Sequence, residues 1–125
     1  MKNLLEQQVG GTHYRDHFKI QPIELIVQCK WDFIQGNIAK YILRAPYKNG
    51  EEDLAKAQQY CDLFDQNNDV TTYLSHEVPV STIKTFVRVN DLPPFFEDIF
   101  GNIHRKQMPT VKAQIAACKE LILDR

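Results

Sequence analysis

The sequence predicts a mainly α-helical fold, a compact helical domain built on a central αα-hairpin at residues 33–64. Apolar residues recur three and four positions apart on both sides of residues 46–50, which is the pattern of helices with one buried face. The intervening PYKNG contains a proline and a glycine, which end helices and form turns. Helical spacing of apolar residues returns after Pro109, near the C-terminus.

The first helix of the hairpin has two distinct faces. Asp32 can cap its start, because a carboxylate accepts from the free amides of a first turn, and the following proline ends it at Ala45. The face predicted to be buried comprises Ile34, Ile38, Tyr41, Ile42 and Ala45. The second face comprises Phe33, Asn37, Lys40 and Arg44. Because Asn37, Lys40 and Arg44 cap nothing and have no acid three or four positions away, we expect them to form a ligand face.

The second helix is predicted to begin at Asn49 as its N-cap, with Glu52 completing a capping box. Its predicted buried stripe is Leu54, Ala57, Cys61 and Phe64. Charged residues of both signs crowd around the corner: Lys40, Arg44, Lys48, Glu51, Glu52, Asp53 and Lys56. This composition indicates a site for an anionic ligand, with or without a metal ion.

Composition limits the class of protein. The 125 residues predict a single domain over 1–125, and the net charge of -1 argues against a nucleic-acid coat or a polybasic membrane binder. Cys29, Cys61 and Cys118 show no CxxC spacing and are predicted to be reduced core thiols. No apolar run is long enough to span a bilayer and no signal-peptide core precedes the domain, so we expect a cytoplasmic protein.

Residues 2–8 are predicted to form a short helix that is followed by a glycine pair and a polar loop. Gly10, Gly11, His13 and Tyr14 could contact a phosphate or a base, because amides freed by paired glycines can bind anions. A helix C-cap followed by a polar turn explains the same residues, and turn glycines are common.

A short helix is predicted from the Gln21-Pro22 pair through Cys29, with Ile23, Ile26 and Val27 on its buried side. Residues 70–90 have two interpretations. Segments 70–74 and 82–89 could pair as a small β-hairpin, since both are rich in β-branched residues. Alternatively, a helix capped by Ser81 carries one apolar side, and this helix is favoured. That side comprises Ile83, Phe86, Val87 and Asn90.

Two further helices are predicted, a phenylalanine-rich helix at 95–105 and a last helix that opens at Pro109. The last helix carries a stripe of Val111, Ile115, Cys118 and Ile122, which Ala117 and Leu121 widen. Together these helices offer more apolar surface than a three-helix core would absorb. We therefore expect a homo-oligomer.

Several catalytic motifs are absent. There is no GxxxxGK[ST] loop and no GxGxxG, which excludes a P-loop kinase of the common type and a dinucleotide fold. The run Glu51, Glu52 and Asp53 could bind Mg²⁺, although acids in a first turn also complement the helix dipole. A helical pyrophosphohydrolase would need a second acidic helix, which the sequence does not supply.

Three motifs resemble a known family: VGGTHY at 9–14, IQPIEL at 20–25 and GNIAKYILRAPYKNGEEDLAKAQQY at 36–60. They are similar to a small, mostly phage-encoded domain family catalogued as uncharacterised or as a phage nucleotide kinase. Its best-known member is similar to the early nucleotide kinase of T-odd podophages, which phosphorylates deoxynucleoside monophosphates without a P-loop. The resemblance implies a helical core at 9–64 and leaves 65–125 as a C-terminal extension for packing or oligomerisation.

The resemblance implies a site on the hairpin and the glycine loop. The residues it assigns to catalysis are Lys40, Arg44, His13 and Asp53. Those it assigns to substrate and phosphate binding are Gly10, Gly11, Tyr14, Asn37, Tyr41, Lys48, Glu52 and Lys56. In a kinase the cations neutralise the phosphates of a nucleoside triphosphate donor and of the acceptor, with Mg²⁺ as an optional cofactor, and His13 or Asp53 orients the acceptor.

Two alternatives to a kinase remain open. The same residues could capture a nucleotide or nucleotide-derived signal without turnover, as a sequestering protein does. The chain could instead bind a host factor through its apolar C-terminal helices, which predicts no nucleotide affinity. In each case no membrane contact is expected and nucleic acid is not an expected partner. A phage-encoded protein would act in the host cytoplasm.

Overall fold

The computed structural model describes residues 16–67 and 77–124. Within these ranges it contains helices and no strand, which confirms the mainly α prediction. The helices are α1 (Pro22–Cys29), α2 (Phe33–Arg44), α3 (Glu51–Asn67), α4 (Val80–Val89), α5 (Phe95–His104), α6 (Met108–Ala117) and α7 (Lys119–Leu123), with a 3-10 turn at Ala45–Tyr47. The predictions for 2–8, 10–14 and 70–74 lie outside the described residues.

The αα-hairpin of α2 and α3 is the centre of the fold, as predicted. The two helices make the most extensive helix–helix contact, and each also packs against other helices: α1 and α5 lie against α2, and α6 and α7 against α3. One apolar cluster joins all of these elements. In the part of the chain that the structure describes, no helix is long and apolar enough to cross a membrane.

Helix α2 begins as its sequence predicts. The Asp32 carboxylate accepts from the amide of Gln35, and the Gln35 side chain reaches back to the amide of Asp32. Gln35 is nonetheless buried, and its Nε2 donates to the carbonyls of Ile103 and His104 at the end of α5. A residue that periodicity assigns to neither face therefore ties the hairpin to the C-terminal helices.

The buried side of α2 is broader than predicted. Ile38, Ile42 and Ala45 are buried, whereas Ile34 and Tyr41 are only half-buried. Ala39 and Leu43, which the prediction left out, are also buried. The reason is that α2 packs against α1, α3 and α5, so that more than one sector is covered.

Helix α3 starts one residue later than predicted, so the prediction of Asn49 as N-cap with Glu52 is wrong. Gly50 precedes the helix with a φ of 53°, a left-handed conformation that glycine adopts without strain. Asp53, at the third helical position, accepts from the Asn49 amide at 3.1 Å. The predicted stripe of Leu54, Ala57, Cys61 and Phe64 is buried, as expected.

Helix α1 begins at Pro22 as predicted, but its buried side is different. Leu25 and Cys29 face the core, while Ile23 and Val27 are 46% and 66% exposed. The predicted assignment of Ile23 and Val27 to the core is wrong, because α1 packs between α2 and α4 through its opposite side.

Helix α4 confirms the favoured interpretation of residues 80–90, and the β-hairpin alternative is wrong for 82–89. Ile83, Phe86, Val87 and Asn90 are all buried, as predicted, although the helix begins after Pro79 and not at a Ser81 cap. The Asn90 side chain binds the backbone of the segment that leads into α1. Its Oδ1 accepts from the amides of Lys19 (2.7 Å) and Ile20 (3.2 Å), and its Nδ2 donates to the Ile20 carbonyl (2.9 Å).

The C-terminal helices place most of their apolar surface in the core of this chain. The buried residues of α5 are Phe96, Ile99, Phe100, Gly101 and Ile103. The predicted last helix is interrupted at Cys118, which separates α6 from α7 and leaves Ala117 and Leu121 exposed. The phenylalanine-rich surface on which the oligomer prediction rested is thus used internally, and self-association stays a prediction.

Candidate functional site

Three aromatic rings lie along the outer side of the hairpin. Tyr41 of α2 stacks on Tyr60 of α3, with ring centroids 6.0 Å apart and an interplanar angle of 19°. Phe33, at the start of α2, meets the edge of Tyr60 at 6.1 Å. The Phe33 ring is 74% exposed, which is unusual for a residue of this size. The rings therefore form an open apolar strip that crosses from one helix to the other.

Three cations surround the ring of Tyr41. The Nζ of Lys40 lies 4.6 Å from the ring centroid, and the Cζ of Arg44 and the Nζ of Lys56 each lie 5.5 Å from it. These distances are within the range of cation–π attraction. Lys40 and Arg44 are four residues apart on α2, and Lys56 and Tyr60 are four apart on α3, so each pair lies on one face of its helix. The packing of α2 against α3 brings the two faces together. We call these six residues, Phe33, Lys40, Tyr41, Arg44, Lys56 and Tyr60, the hairpin face.

The charges of the hairpin face are only partly compensated. Arg44 pairs with Asp53 across the corner, with 3.4 Å between Nε and Oδ2, and Lys56 pairs with Glu52 at 3.7 Å within α3. Among the described residues, Lys40 has no carboxylate partner. The face therefore keeps one uncompensated positive charge next to its aromatic strip.

Asp53 lies beneath the hairpin face, since its side chain has no exposed surface. Its Oδ2 accepts from the Asn49 amide, while its Oδ1 is buried and has no hydrogen-bond partner in the part of the chain that the structure describes. The Nε of Arg44 is also buried and makes no hydrogen bond, so the two groups attract each other through charge alone. Asp53 can act on a surface ligand chiefly by holding Arg44 in place.

The acids at the start of α3 each have a separate cation. The Glu51 Oε1 lies 2.6 Å from the Lys119 Nζ of α7, and this partner lowers the pKa of Glu51 and raises the pKa of Lys119. Glu52 and Asp53 pair with Lys56 and Arg44, as described above. Ion pairing thus accounts for the run that was a predicted Mg²⁺ ligand set. Among the described residues, no group of three or more His, Cys, Asp or Glu side chains is positioned to hold a metal ion.

The remaining predicted site residues are dispersed. The Asn37 side chain bonds to its own helix, because its Nδ2 donates to the Phe33 carbonyl at 2.8 Å. Lys48 is exposed at the corner and makes no ion pair or ring contact with the described residues. Gly10, Gly11, His13 and Tyr14 lie outside the described residues. The first described residues pack against the corner, where the His17 ring stacks on Tyr47 with centroids 3.7 Å apart.

Sequence reasoning missed Tyr60 and did not assign a binding role to Phe33. The signal for Tyr60 was its four-residue spacing from Lys56, which matches the spacing of Lys40 and Arg44 on the other helix. Phe33 was placed on the same helix face as Lys40 and Arg44, and an exposed phenylalanine among cations was already an indication of a ligand face.

Comparison with known proteins finds a family model that matches part of the chain. No curated protein and no solved structure gives a significant match to this sequence. Residues 10–62 match the model of a domain family described as a protein of unknown function, DUF3310. This segment runs from the glycine pair through α1 and α2 into α3, so it contains the whole hairpin face and nearly coincides with the segment 9–64 that carries the sequence resemblance.

Proposed function

We propose that this chain binds a nucleoside phosphate on the hairpin face. The observation that carries the proposal is the group of three cations around Tyr41, in which Lys40 has no acidic partner among residues 16–67 and 77–124, next to the open strip of Tyr60 and Phe33. A nucleotide combines an anionic end with a flat aromatic end, and the hairpin face offers the complement of both.

The phosphate end has a physical reason to bind at Lys40. An ammonium bonded to a phosphate oxygen makes a charge-assisted hydrogen bond, which is roughly twice as strong as a neutral one. Arg44 and Lys56 are already paired with Asp53 and Glu52. They can attract the phosphate while they keep these pairs. The exposed ring of Phe33 can then carry the base, since stacking of one base on an aromatic side chain contributes about 1–3 kcal/mol.

Phosphoryl transfer between nucleotides is the second candidate function. It is supported by the resemblance of the motifs at 9–14, 20–25 and 36–60 to the family catalogued in part as a phage nucleotide kinase, and by the number of cations on one face. Transfer of a phosphoryl group needs mainly alignment and neutralisation of charge, so it does not require a covalent nucleophile. A nucleoside triphosphate would be the donor, with Mg²⁺ shielding its phosphates.

Calorimetry on the purified chain separates these functions. A deoxynucleoside monophosphate and a nucleoside triphosphate are titrated with and without Mg²⁺, and diphosphate is quantified after incubation with both. Lys40→Gln removes the charge that has no acidic partner among the described residues, and Phe33→Leu removes the exposed ring on which the base is proposed to stack. Lys84→Gln is the matched control, because Lys84 is also an exposed lysine on a helix but lies on α4, away from the hairpin face.

Each outcome is informative. Binding that weakens at least about tenfold in Lys40→Gln and in Phe33→Leu, but not in Lys84→Gln, supports the proposal, since loss of a charged hydrogen bond or of base stacking is worth about that much. Diphosphate formed by the wild-type chain alone adds the kinase activity. Binding without diphosphate leaves a sequestering protein. Absence of any binding would overturn the proposal and favour the host-factor alternative.

A further inference from the structure

A shallow depression of about 270 Å³ lies between α1 and α2, and two residues of the hairpin face, Phe33 and Lys40, belong to its lining. Asn37 lines it as well. Residues that are four and then three positions apart fall on one face of a helix, so these three side chains form a row along α2. The row begins with an aromatic ring, continues with an amide and ends with an ammonium group.

The two ends of the row differ in charge. Phe33 and Lys40 are seven residues apart, which is about 10 Å along the helix axis at 1.5 Å per residue. Asp32 lines the depression next to Phe33, and its Oδ2 lies 3.5 Å from the Lys106 Nζ, so the charge there is already compensated. Lys40, at the other end, has no carboxylate partner among the described residues. An anionic group is therefore attracted to the Lys40 end of the depression.

The wall that α1 contributes is apolar and lies close to α2. It consists of Ile23, which is partly exposed, and Ile26. Gly36 permits the close approach, because a Cβ at this position would lie only 3.2 Å from the Ile26 Cγ2. Beside the exposed ring of Phe33 the depression thus offers apolar surface, which suits a flat base better than a charged group.

Asn37 offers an acceptor between the two ends. Its Nδ2 donates to the Phe33 carbonyl at 2.8 Å, and this bond holds the amide in one orientation. Its Oδ1 accepts no hydrogen bond from the residues that the structure describes, and Asn37 is only half-buried, so solvent reaches this oxygen. The middle of the row can therefore accept a hydrogen bond from a ligand hydroxyl without any other bond being broken.

We propose that Asn37 recognises the sugar of the bound nucleotide, with its Oδ1 accepting a hydrogen bond from the 3′-hydroxyl. This inference rests on the proposed function, with the base at Phe33 and the 5′-phosphate at Lys40. A nucleoside 5′-monophosphate has its base, sugar and phosphate in the same order as the ring, the amide and the ammonium group along α2. The ligand class is thus an intact nucleoside monophosphate, and a phosphate without a nucleoside fills only one end of the row.

A nucleotide without the 3′-hydroxyl tests this role. The four common 2′-deoxynucleoside 5′-monophosphates are titrated into the full chain by calorimetry, and the one that binds most tightly is compared with its 2′,3′-dideoxy counterpart. We expect the dideoxy nucleotide to bind about three- to tenfold more weakly, which is the factor that one neutral hydrogen bond contributes. Equal affinity for both would overturn the role of Asn37 and leave the proposed function standing, whereas no binding of any of the four would remove both.

Asn37→Leu tests the residue itself, because leucine keeps the size of the side chain and removes the acceptor. We expect the variant to bind the deoxy and the dideoxy nucleotide equally, both about as weakly as the wild-type chain binds the dideoxy form. A purely structural role would instead weaken both nucleotides and preserve the difference between them. Gln59→Leu is the matched control, since Gln59 is an exposed amide on α3 outside the lining, and it should keep the wild-type difference. If Asn37→Leu fails to fold, the comparison in the wild-type chain still decides.

Discussion

The carboxylate of Asp53 has no contact with solvent and lies against two groups, the amide of Asn49 and the guanidinium of Arg44. In the sequence Asp53 is the third acid of a run, and its residue type alone does not distinguish its role from the roles of Glu51 and Glu52. Its spacing does separate it, since Asp53 is four residues before Ala57, which belongs to the buried stripe. The same spacing would have predicted that Asp53 is buried, but its pairing with Arg44 depends on how α2 packs against α3.

Asp53→Asn tests this role. The amide keeps the size of the side chain but removes the charge opposite Arg44, so the partly exposed guanidinium loses its partner. We expect the free energy of unfolding to fall by about 1–3 kcal/mol, below the cost of a fully buried pair because solvent reaches Arg44. Chemical denaturation measures it.

Glu52→Gln is the control for this substitution, because it breaks the exposed pair with Lys56. Its cost should stay within about 0.5 kcal/mol. Equal losses in the two variants would contradict the structural role of Asp53.

Cys29 carries a prediction about pH. Burial raises the pKa of its thiol from the ordinary value of 9.0 to about 11. The unfolded chain therefore releases this proton at a lower pH than the folded chain. The stability that Cys29 contributes is complete below pH 9.0 and is lost as the pH rises towards about 11.

Cys29→Ala isolates this effect from the titration of other groups. The difference in the free energy of unfolding between the wild-type chain and Cys29→Ala should shrink between pH 9 and pH 11. A difference that stays constant across this interval would show that the thiol titrates alike in both states.

At the scale of elements, the sequence predicted the hairpin and the positions of α1, α4 and α5 but not every buried face. Helix α1 has the sequence PIELIVQC, in which apolar residues occur on all sides, so periodicity cannot choose the face that packs. The choice depends on α2 and α4, between which α1 lies, and α4 is distant from α1 in sequence. Helix α3 has fewer apolar residues, so its pattern allowed only one buried face.

Asn90 is the clearest link between distant elements. It was predicted on the inward side of α4, but its partners, the backbone groups of Lys19 and Ile20, are about 70 residues away and could not be predicted from local pattern. Asn90→Leu leaves these groups unsatisfied, and we expect a loss of about 1–3 kcal/mol in the free energy of unfolding. Asn90→Asp keeps the acceptor for both amides but sets a carboxylate oxygen against the Ile20 carbonyl, so it should also lose stability. Amide exchange at Ile20 measures the local effect, and equal protection in all three chains would contradict this role.

At the scale of the whole molecule, helices α5, α6 and α7, which follow the matched segment, pack on the hairpin, while α4 packs on α1 and α5, and all four share the apolar cluster. The hairpin face remains open on the outer side, and its cations come from two helices that only the fold brings together. The sequence could predict Lys40 and Arg44 as a ligand face because both lie on one helix. It could not place Tyr60 beside them, since the pairing of α2 with α3 decides which residues meet.

Self-association is a prediction at this scale. If copies of the chain associate, as predicted from the sequence, light scattering should give a mass above 14.6 kDa, the mass of one chain. A clean monomer would remove the prediction and would show that the apolar residues of α5 satisfy only the core in which they lie.

The central claim is that a nucleoside phosphate binds on the hairpin face, and an NMR titration of the labelled full chain with a deoxynucleoside monophosphate tests it most directly. We expect the ring resonances of Phe33, Tyr41 and Tyr60 and the side-chain signals of Lys40 to shift together in wild-type protein. In Lys40→Gln these shifts should need at least about tenfold more nucleotide. Shifts confined to α4 and α5, or no shifts at millimolar nucleotide, would contradict the claim.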